Sequence, residues 1–145
     1  MSKRIDLYKT SPDAYKPMIA LEEYIAKSPL NKKLYELIKT RASQMNGCHY
    51  CINMHTRDAM KDGETAQRLF LLDAWRETDL YTEKERAVLA LTEEMTFIAG
   101  NHVSDEVYNE AAKHCTELEL AAVIMAIVVI NGWNRMAIVT EMPLD

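Results

Sequence analysis

Apolar residues in this chain recur at three- and four-residue intervals, the spacing that places side chains on one face of an α-helix. The clearest run has the apolar positions Leu30, Leu34, Leu37, Ile38, Ala42 and Met45. Ser28-Pro29 precedes this run as a helix start, and Asn46-Gly47 follows it as a C-cap. No stretch keeps the strict alternation of a half-buried strand. The pattern therefore predicts an all-α fold.

Capping signals divide the rest of the chain into further helices. The capping box Thr82-x-x-Glu85 predicts a helix through Phe97, and Thr116-x-x-Glu119 predicts a long one to about Thr140. Other helices are expected over residues 18–27, 48–61, 64–74 and 104–114. Ser11-Pro12 is also a start signal, but Pro17 interrupts the segment after it, so the first helix is expected to begin only at Met18.

Composition agrees with a single helical domain over residues 1–145. The 145 residues suit one core, and 4 Gly and 4 Pro leave little turn material for a many-stranded fold. The net charge is −5 with no basic stripe, which excludes an electrostatic basis for nucleic-acid binding. We find no internal repeat, low-complexity segment or linker.

Neither a signal sequence nor a membrane span is expected. Charged residues follow Met1 before any apolar stretch forms, and the apolar run Leu120–Ile130 is shorter than a bilayer requires. Asn131, Trp133 and Asn134 interrupt the same helix, so they are either buried with partners or placed at a subunit contact. Three cysteines without an export signal indicate a cytoplasmic protein, in which a close cysteine pair is more often catalytic or metal-binding than structural.

The chemistry is concentrated in the segment Gly47-Cys48-His49-Tyr50-Cys51-Ile52-Asn53-Met54-His55. On a helix, Cys48, Cys51 and His55 lie on one stripe at positions i, i+3 and i+7. Cys48 is expected in the first turn, where free N–H groups and the helix dipole stabilise a thiolate. His55 follows Cys51 by one turn, close enough to accept its proton. This pattern predicts a redox-active thiol pair, whereas Cys115 has no partner in sequence and is interpreted as structural.

A zinc site is the main alternative. Cys48, Cys51 and His55 would supply three ligands, with Glu36 or a water as the fourth. Structural zinc sites usually hold the cysteine pair in a loose knuckle, however, and here the residues continue a helix. We therefore expect no metal.

Glu36 is a candidate to orient or deprotonate His55. If the chain turns back at Asn46-Gly47, the flanking helices form an αα-hairpin that holds Glu36 and His55 at the same height. Helical spacing alone places Glu36 opposite the apolar stripe, as a solvated residue. Asp58, one turn after His55, competes for the orienting role.

The spacing Glu36-x11-Cys48-x2-Cys51-x3-His55 resembles the alkylhydroperoxidase D-like branch of the carboxymuconolactone decarboxylase family. The resemblance covers most of the chain from about Leu34, with a core motif over residues 34–100. It continues through the strings HTRDAMKDGE, AWRETDLYTEKERAVLALTEE and VINGWNRMAIVTE.

The resemblance implies a thiol peroxidase acting on organic hydroperoxides or hydrogen peroxide. Cys51 matches the cysteine that attacks the peroxide and becomes a sulfenic acid, and Cys48 matches the resolving cysteine. His55 and Glu36 match the proton relay that activates Cys51. Helix-dipole logic favours Cys48 as the more acidic thiol, so Cys48 is assigned the exchange with the reductant. Tyr50 stands where the motif commonly has a histidine.

The resemblance also implies an all-helical homo-oligomer, a hexamer or a trimer, that needs no cofactor. Its disulfide would be reduced by an external dithiol or thiol, such as a lipoyl- or thioredoxin-like protein. The cysteine pair argues against decarboxylase activity, because the decarboxylase relatives do not depend on one. A general thiol–disulfide oxidoreductase and a redox sensor are the alternative functions.

Overall fold

The computed structural model describes residues 4–144, and these residues form helices and loops without a β-strand. Residues 1–3 and 145 lie outside the described part. They include both ends of the predicted domain and the first residues of the N-terminus, which is not expected to be a signal sequence. The helices are α1 (Leu7–Thr10), α2 (Pro12–Lys27), α3 (Lys32–Asn46), α4 (His49–Lys61), α5 (Ala66–Phe70), the 3-10 helix η1 (Leu72–Glu77), α6 (Glu83–Thr96), α7 (Ile98–Asn101), α8 (Asp105–His114) and α9 (Glu117–Val139). The all-α prediction is confirmed for the described residues.

Helix α3 lies at the centre of the fold. It packs against α4, α6, α9 and η1, and residues 34–43 are all buried. Glu36 is one of them, only 4% exposed. The expectation of a solvated Glu36 is therefore wrong, because other helices cover the side of α3 that lies opposite its own apolar stripe.

The predicted αα-hairpin joins α3 to α4 through Gly47. Gly47 adopts a left-handed conformation with φ of 67°, which a glycine tolerates without strain. The Asn46 side chain beside this turn donates hydrogen bonds to Asn131 and Asn134 of α9, both at 2.9 Å. Asn134 in turn donates to the Ser43 hydroxyl at 3.0 Å. Asn134 is thus buried and Asn131 half-buried, both with hydrogen-bond partners, and they fix the turn that carries the cysteine pair.

Helix α9 is longer than the apolar run read from the sequence. By length and composition it is the one helix within residues 4–144 that could cross a bilayer, a property that core helices of folded domains share. It packs against α3, α2, α6, α4 and α8, and 44% of its most apolar stretch is buried. Its packing is that of a core helix.

Some predicted helix boundaries are wrong. Helix α2 begins at Pro12 and contains Pro17, because the packing of Met18, Leu21 and Ile25 on the core offsets the one backbone hydrogen bond that a proline removes. Helix α3 starts two residues later than Leu30, since the Asn31 side chain accepts the N–H groups of its first turn.

Both capping boxes are present as predicted. Two other helices differ from the prediction in where they are interrupted or end. The helix expected over residues 64–74 is divided into α5 and η1 by a change of helix type after Phe70. The helix that starts at Thr82 stops at Thr96, and the short α7 follows it to Asn101.

Candidate functional site

Cys48 and Cys51 form a disulfide at the start of α4, with their Cα atoms 5.3 Å apart. Cys48 is the N-cap of α4 rather than a residue of its first turn, and the Cys51 N–H donates to the Cys48 sulfur at 3.3 Å. The cap position directs the free N–H groups of the helix start towards that sulfur. The cysteines are 1% and 2% exposed, so solvent barely reaches either sulfur.

A cavity of about 300 Å³ lies beside the disulfide, between α2, α3, α4 and α9. Cys51 and His55 line it, whereas Cys48 does not. The other lining residues are mainly apolar or aromatic, with three charged members: Tyr15, Glu22, Lys39, Tyr50, Met54, Asp58, Trp133, Met136, Ala137 and Met142. The cavity gives one sulfur and one imidazole a shared, largely apolar space.

Glu36 faces His55 across the hairpin. The Glu36 Oε2 atom lies 3.7 Å from His55 Nδ1, longer than a hydrogen bond, and the side chains are 6% and 5% exposed. Neither ring nitrogen of His55 has a hydrogen-bond partner among residues 4–144, nor does Glu36 Oε2. The residues that the family resemblance assigns to a proton relay, Glu36 and His55, are therefore adjacent.

Lys39 lies next to Glu36 on α3. Its Nζ atom is 3.4 Å from Glu36 Oε1, and both side chains are buried. Burial alone would raise the pKa of the Glu36 carboxyl, but His55 and Lys39 together hold that pKa below its ordinary value. Glu36 is therefore ionised at neutral pH.

A second group of polar side chains joins α2 to the site. The Glu22 carboxylate accepts hydrogen bonds from the Tyr35 hydroxyl and, at 3.0 Å, from the Trp133 indole. Burial, reinforced by Glu22, raises the pKa of the Tyr35 phenol. The ammonium of Lys39 stands 3.9 Å from the centre of the Tyr35 ring. Sequence reasoning missed Glu22, Tyr35 and Lys39, although Lys39 follows Glu36 by one helical turn.

The remaining candidates occupy different surroundings. Asp58 lines the cavity but forms no ion pair with His55 in the described part of the chain. Tyr50 also lines the cavity, while His49 is exposed. Cys115 packs against the α9 side of the core, where burial raises the pKa of its thiol, as suits a structural cysteine.

No metal-binding cluster is present within residues 4–144, where no group of three or more His, Cys, Asp or Glu side chains is arranged to hold an ion. In this oxidised state the disulfide also occupies both of the thiols that a zinc site would need.

Known proteins are similar in sequence to this chain. Residues 12–94 match the model of the carboxymuconolactone decarboxylase family. The chain is 44% identical to the uncharacterized protein YdfG of Bacillus subtilis (strain 168) over 138 residues. The aligned region covers 95% of this chain and 94% of YdfG.

Two solved structures extend the comparison. A protein of unknown function from Agrobacterium tumefaciens, ATU0492, whose name links it to AhpD and antioxidant defence, superposes with a TM-score of 0.95 at 36% identity over 100% of this chain and 99% of that one. The debrominase Bmp8 shares the fold with a TM-score of 0.78 at 21% identity, over 94% of this chain and 74% of that one.

Proposed function

This chain belongs to the carboxymuconolactone decarboxylase family as an alkylhydroperoxidase D-like member, and from that premise we propose that it is a thiol peroxidase for organic hydroperoxides. The observation that carries the proposal is the shared cavity: the Cys51 sulfur and the His55 imidazole line one apolar space. Glu36 lies next to His55 and does not line that space. A nucleophile, a base and a group that orients the base are the parts that thiol catalysis needs.

The proposed reaction starts from the reduced pair. His55 accepts the Cys51 proton, and the thiolate attacks one peroxide oxygen, which breaks the O–O bond and releases an alcohol after protonation. The sulfur is then a sulfenic acid. The Cys48 thiol condenses with it, water leaves, and the disulfide seen in the structure is formed. Each cycle reduces one hydroperoxide to alcohol and water and oxidises two thiols.

An external dithiol must then reduce the disulfide, and the cavity favours attack at Cys51. Cys48 is buried and does not line the cavity, so an incoming thiolate reaches the Cys51 sulfur first. Cys48 then departs as the thiolate, at the cap position where the Cys51 N–H points to it. The proposal therefore assigns reductant exchange to Cys51, in place of the Cys48 assignment made from helix-dipole reasoning.

The direct test follows the closure of the pair. The reduced protein should consume one equivalent of cumene hydroperoxide in a single burst and end with the Cys48–Cys51 disulfide, detected by mass spectrometry of the joined peptide. Dithiothreitol should restore the burst. A protein whose thiols stay free while the peroxide persists would contradict the proposed function.

Substrate size provides a second prediction. Ala137 is 5% exposed, lines the cavity and packs against the cysteine pair, so Ala137→Phe should fill the space that an organic group would occupy. We expect the rate with cumene hydroperoxide to fall about 10- to 100-fold, and the rate with hydrogen peroxide to change far less.

The matched control adds the same ring outside the cavity. Val139 is on the same helix and 61% exposed, so Val139→Phe should leave both rates near the wild-type values. Equal losses for both peroxides in Ala137→Phe would show that the cavity does not select the organic group.

The burial of both sulfurs favours a small oxidant such as a peroxide over a folded protein disulfide, which supports peroxidase activity over general thiol–disulfide exchange. For the same reason it favours a slender dithiol, such as a lipoyl group, over a thioredoxin-like protein as the reductant. The proposal retains the cytoplasmic, homo-oligomeric protein expected from the sequence. Exposed apolar residues of α7 and α9 that line one groove, including Ile98 and Val128, are compatible with a subunit interface.

A further inference from the structure

Lys39 holds a positive charge in the interior of the protein. Its side chain is 9% exposed, and lysine is seldom buried unless an anion pairs with it. The anion is Glu36, whose Oε1 atom lies 3.4 Å from Nζ. The face of the Tyr35 ring supplies a second contact at 3.9 Å. Lys39 is thus fixed on two sides by residues of its own helix.

The two oxygens of Glu36 have different neighbours. Oε1 faces Lys39, while Oε2 faces His55 Nδ1 at 3.7 Å. An ammonium on one oxygen limits rotation of the carboxylate and leaves the other oxygen directed at the imidazole. The Tyr35 ring that supports Lys39 is itself held, because its hydroxyl donates to Glu22 of α2.

We propose that Lys39 is a positioning residue of the redox site: it keeps Glu36 ionised and directed at His55, and thereby favours the thiolate form of Cys51. This inference rests on the proposed thiol chemistry. Lys39 acts here through Glu36, and its own contact with a substrate is not part of the inference.

Charged and titratable groups reach this region from three helices. Helix α4 contributes His55, Asp58 and Tyr50, and α2 contributes Glu22 and Tyr15. Within the described residues, the wall from α9 and the segment after it contributes no charged side chain. Lys39 is the lysine among these groups, which otherwise are acids, phenols and one histidine. If Lys39 is removed and Glu36 stays ionised, the surroundings of Cys51 become more negative. Otherwise Glu36 becomes protonated.

Either outcome raises the pH at which Cys51 becomes a thiolate. Lys39 is among the causes that hold the pKa of Glu36 below its ordinary value, so its loss raises that pKa. A protonated Glu36 no longer stabilises the imidazolium of His55, and the thiolate–imidazolium pair is weakened. Loss of the Lys39 charge would also raise this pH by acting directly on the Cys51 thiolate. The experiment must therefore separate action through Glu36 from direct action on Cys51.

The test measures thiol reactivity without a peroxide. In the reduced Cys48→Ser, Cys115→Ser protein, the rate of Cys51 alkylation by iodoacetamide is followed against pH by mass spectrometry. Lys39→Met should move the midpoint up by about one pH unit, the order expected for a lost neighbouring charge. Lys39→Arg should restore most of the difference. An unchanged midpoint in Lys39→Met would overturn the inference.

A double-mutant cycle separates action through Glu36 from direct action on Cys51. In a Glu36→Gln background, Lys39→Met should move the midpoint by less than half as much. A shift of the same size in that background would overturn the positioning role. Should Lys39→Met fail to fold, as judged by circular dichroism, Lys39→Gln removes the charge with a polar side chain and the same criteria apply.

The role of Lys39 and the peroxidase activity can fail independently of each other. A protein that shows the Glu36-dependent shift but never consumes cumene hydroperoxide would retain the role of Lys39 and lose the peroxidase activity. A protein that consumes the peroxide with no shift in Lys39→Met would retain the activity and lose the role of Lys39.

Discussion

Replacing Cys51 with serine should lower peroxide turnover at least about 1000-fold, the order of loss expected when a covalent nucleophile is removed. Cys51 is the cysteine that lines the cavity, and a serine hydroxyl is not ionised by a neighbouring imidazole to a comparable extent. The measurement is consumption of cumene hydroperoxide at neutral pH with dithiothreitol in excess.

Cys48→Ser should behave differently when the peroxide is added to the reduced protein without dithiothreitol. It should still consume one equivalent of peroxide and accumulate a sulfenic acid at Cys51, which dimedone would trap, because only the resolving step is removed. Cys115→Ser is the matched control and should turn over at the wild-type rate, since Cys115 packs in a separate part of the core. A burst in Cys51→Ser that equals the wild-type burst would contradict the assignment of the nucleophile.

Glu36→Gln should lower turnover about 100-fold, the order associated with loss of acid–base assistance. Glutamine keeps the shape of the side chain but removes the charge that faces His55 at 3.7 Å. Asp58→Asn, on the same cavity, should cost less, because Asp58 does not pair with His55 in the described structure. Stopped-flow measurement of the first oxidation step distinguishes these variants without interference from reductant.

The pH dependence of that loss follows from the state of Glu36. Its pKa lies below the ordinary value of 4.5, so the carboxylate is ionised throughout pH 5 to 8. The ratio of wild-type to Glu36→Gln rates should therefore be largest towards pH 5 and decrease towards pH 8, because an ionised Glu36 lowers the pH at which Cys51 becomes a thiolate. A ratio that falls to one towards pH 5 would show instead that Glu36 titrates there.

The hairpin could be predicted from sequence because its signals are local. Asn46-Gly47 marks the turn, and the positions of Cys48, Cys51 and His55 follow from helical periodicity. The burial of Glu36 could not be predicted in this way, because periodicity describes one helix and says nothing about what covers its other side. The hairpin made Glu36 a candidate partner of His55, but only the spacing shared with the family outweighed the expectation of a solvated residue.

The cavity could not be predicted from the sequence for a different reason. Its walls come from residues far apart in the chain, such as Tyr15 and Met142, which meet only through the packing of α2 and α9. Helix α2 was itself predicted too short, so the segment that contains Tyr15 was not expected to be helical. The ion pair of Lys39 with Glu36 could have been predicted from their spacing on one helix. It was not, because Glu36 was expected to be solvated, where such a pair would have little effect.

The arrangement of the cavity separates two kinds of residue along the chain. The proposed reacting groups and the residues beside them lie on α3 and α4, whereas much of the apolar wall is supplied by α2, α9 and Met142 after it. Substitutions in the wall can change which molecules enter while the reacting atoms keep their places. Combinatorial libraries limited to Tyr15, Met136, Ala137 and Met142 are therefore a practical route to variants with new selectivity. The hairpin, with the proposed reacting residues, would stay unchanged in such libraries.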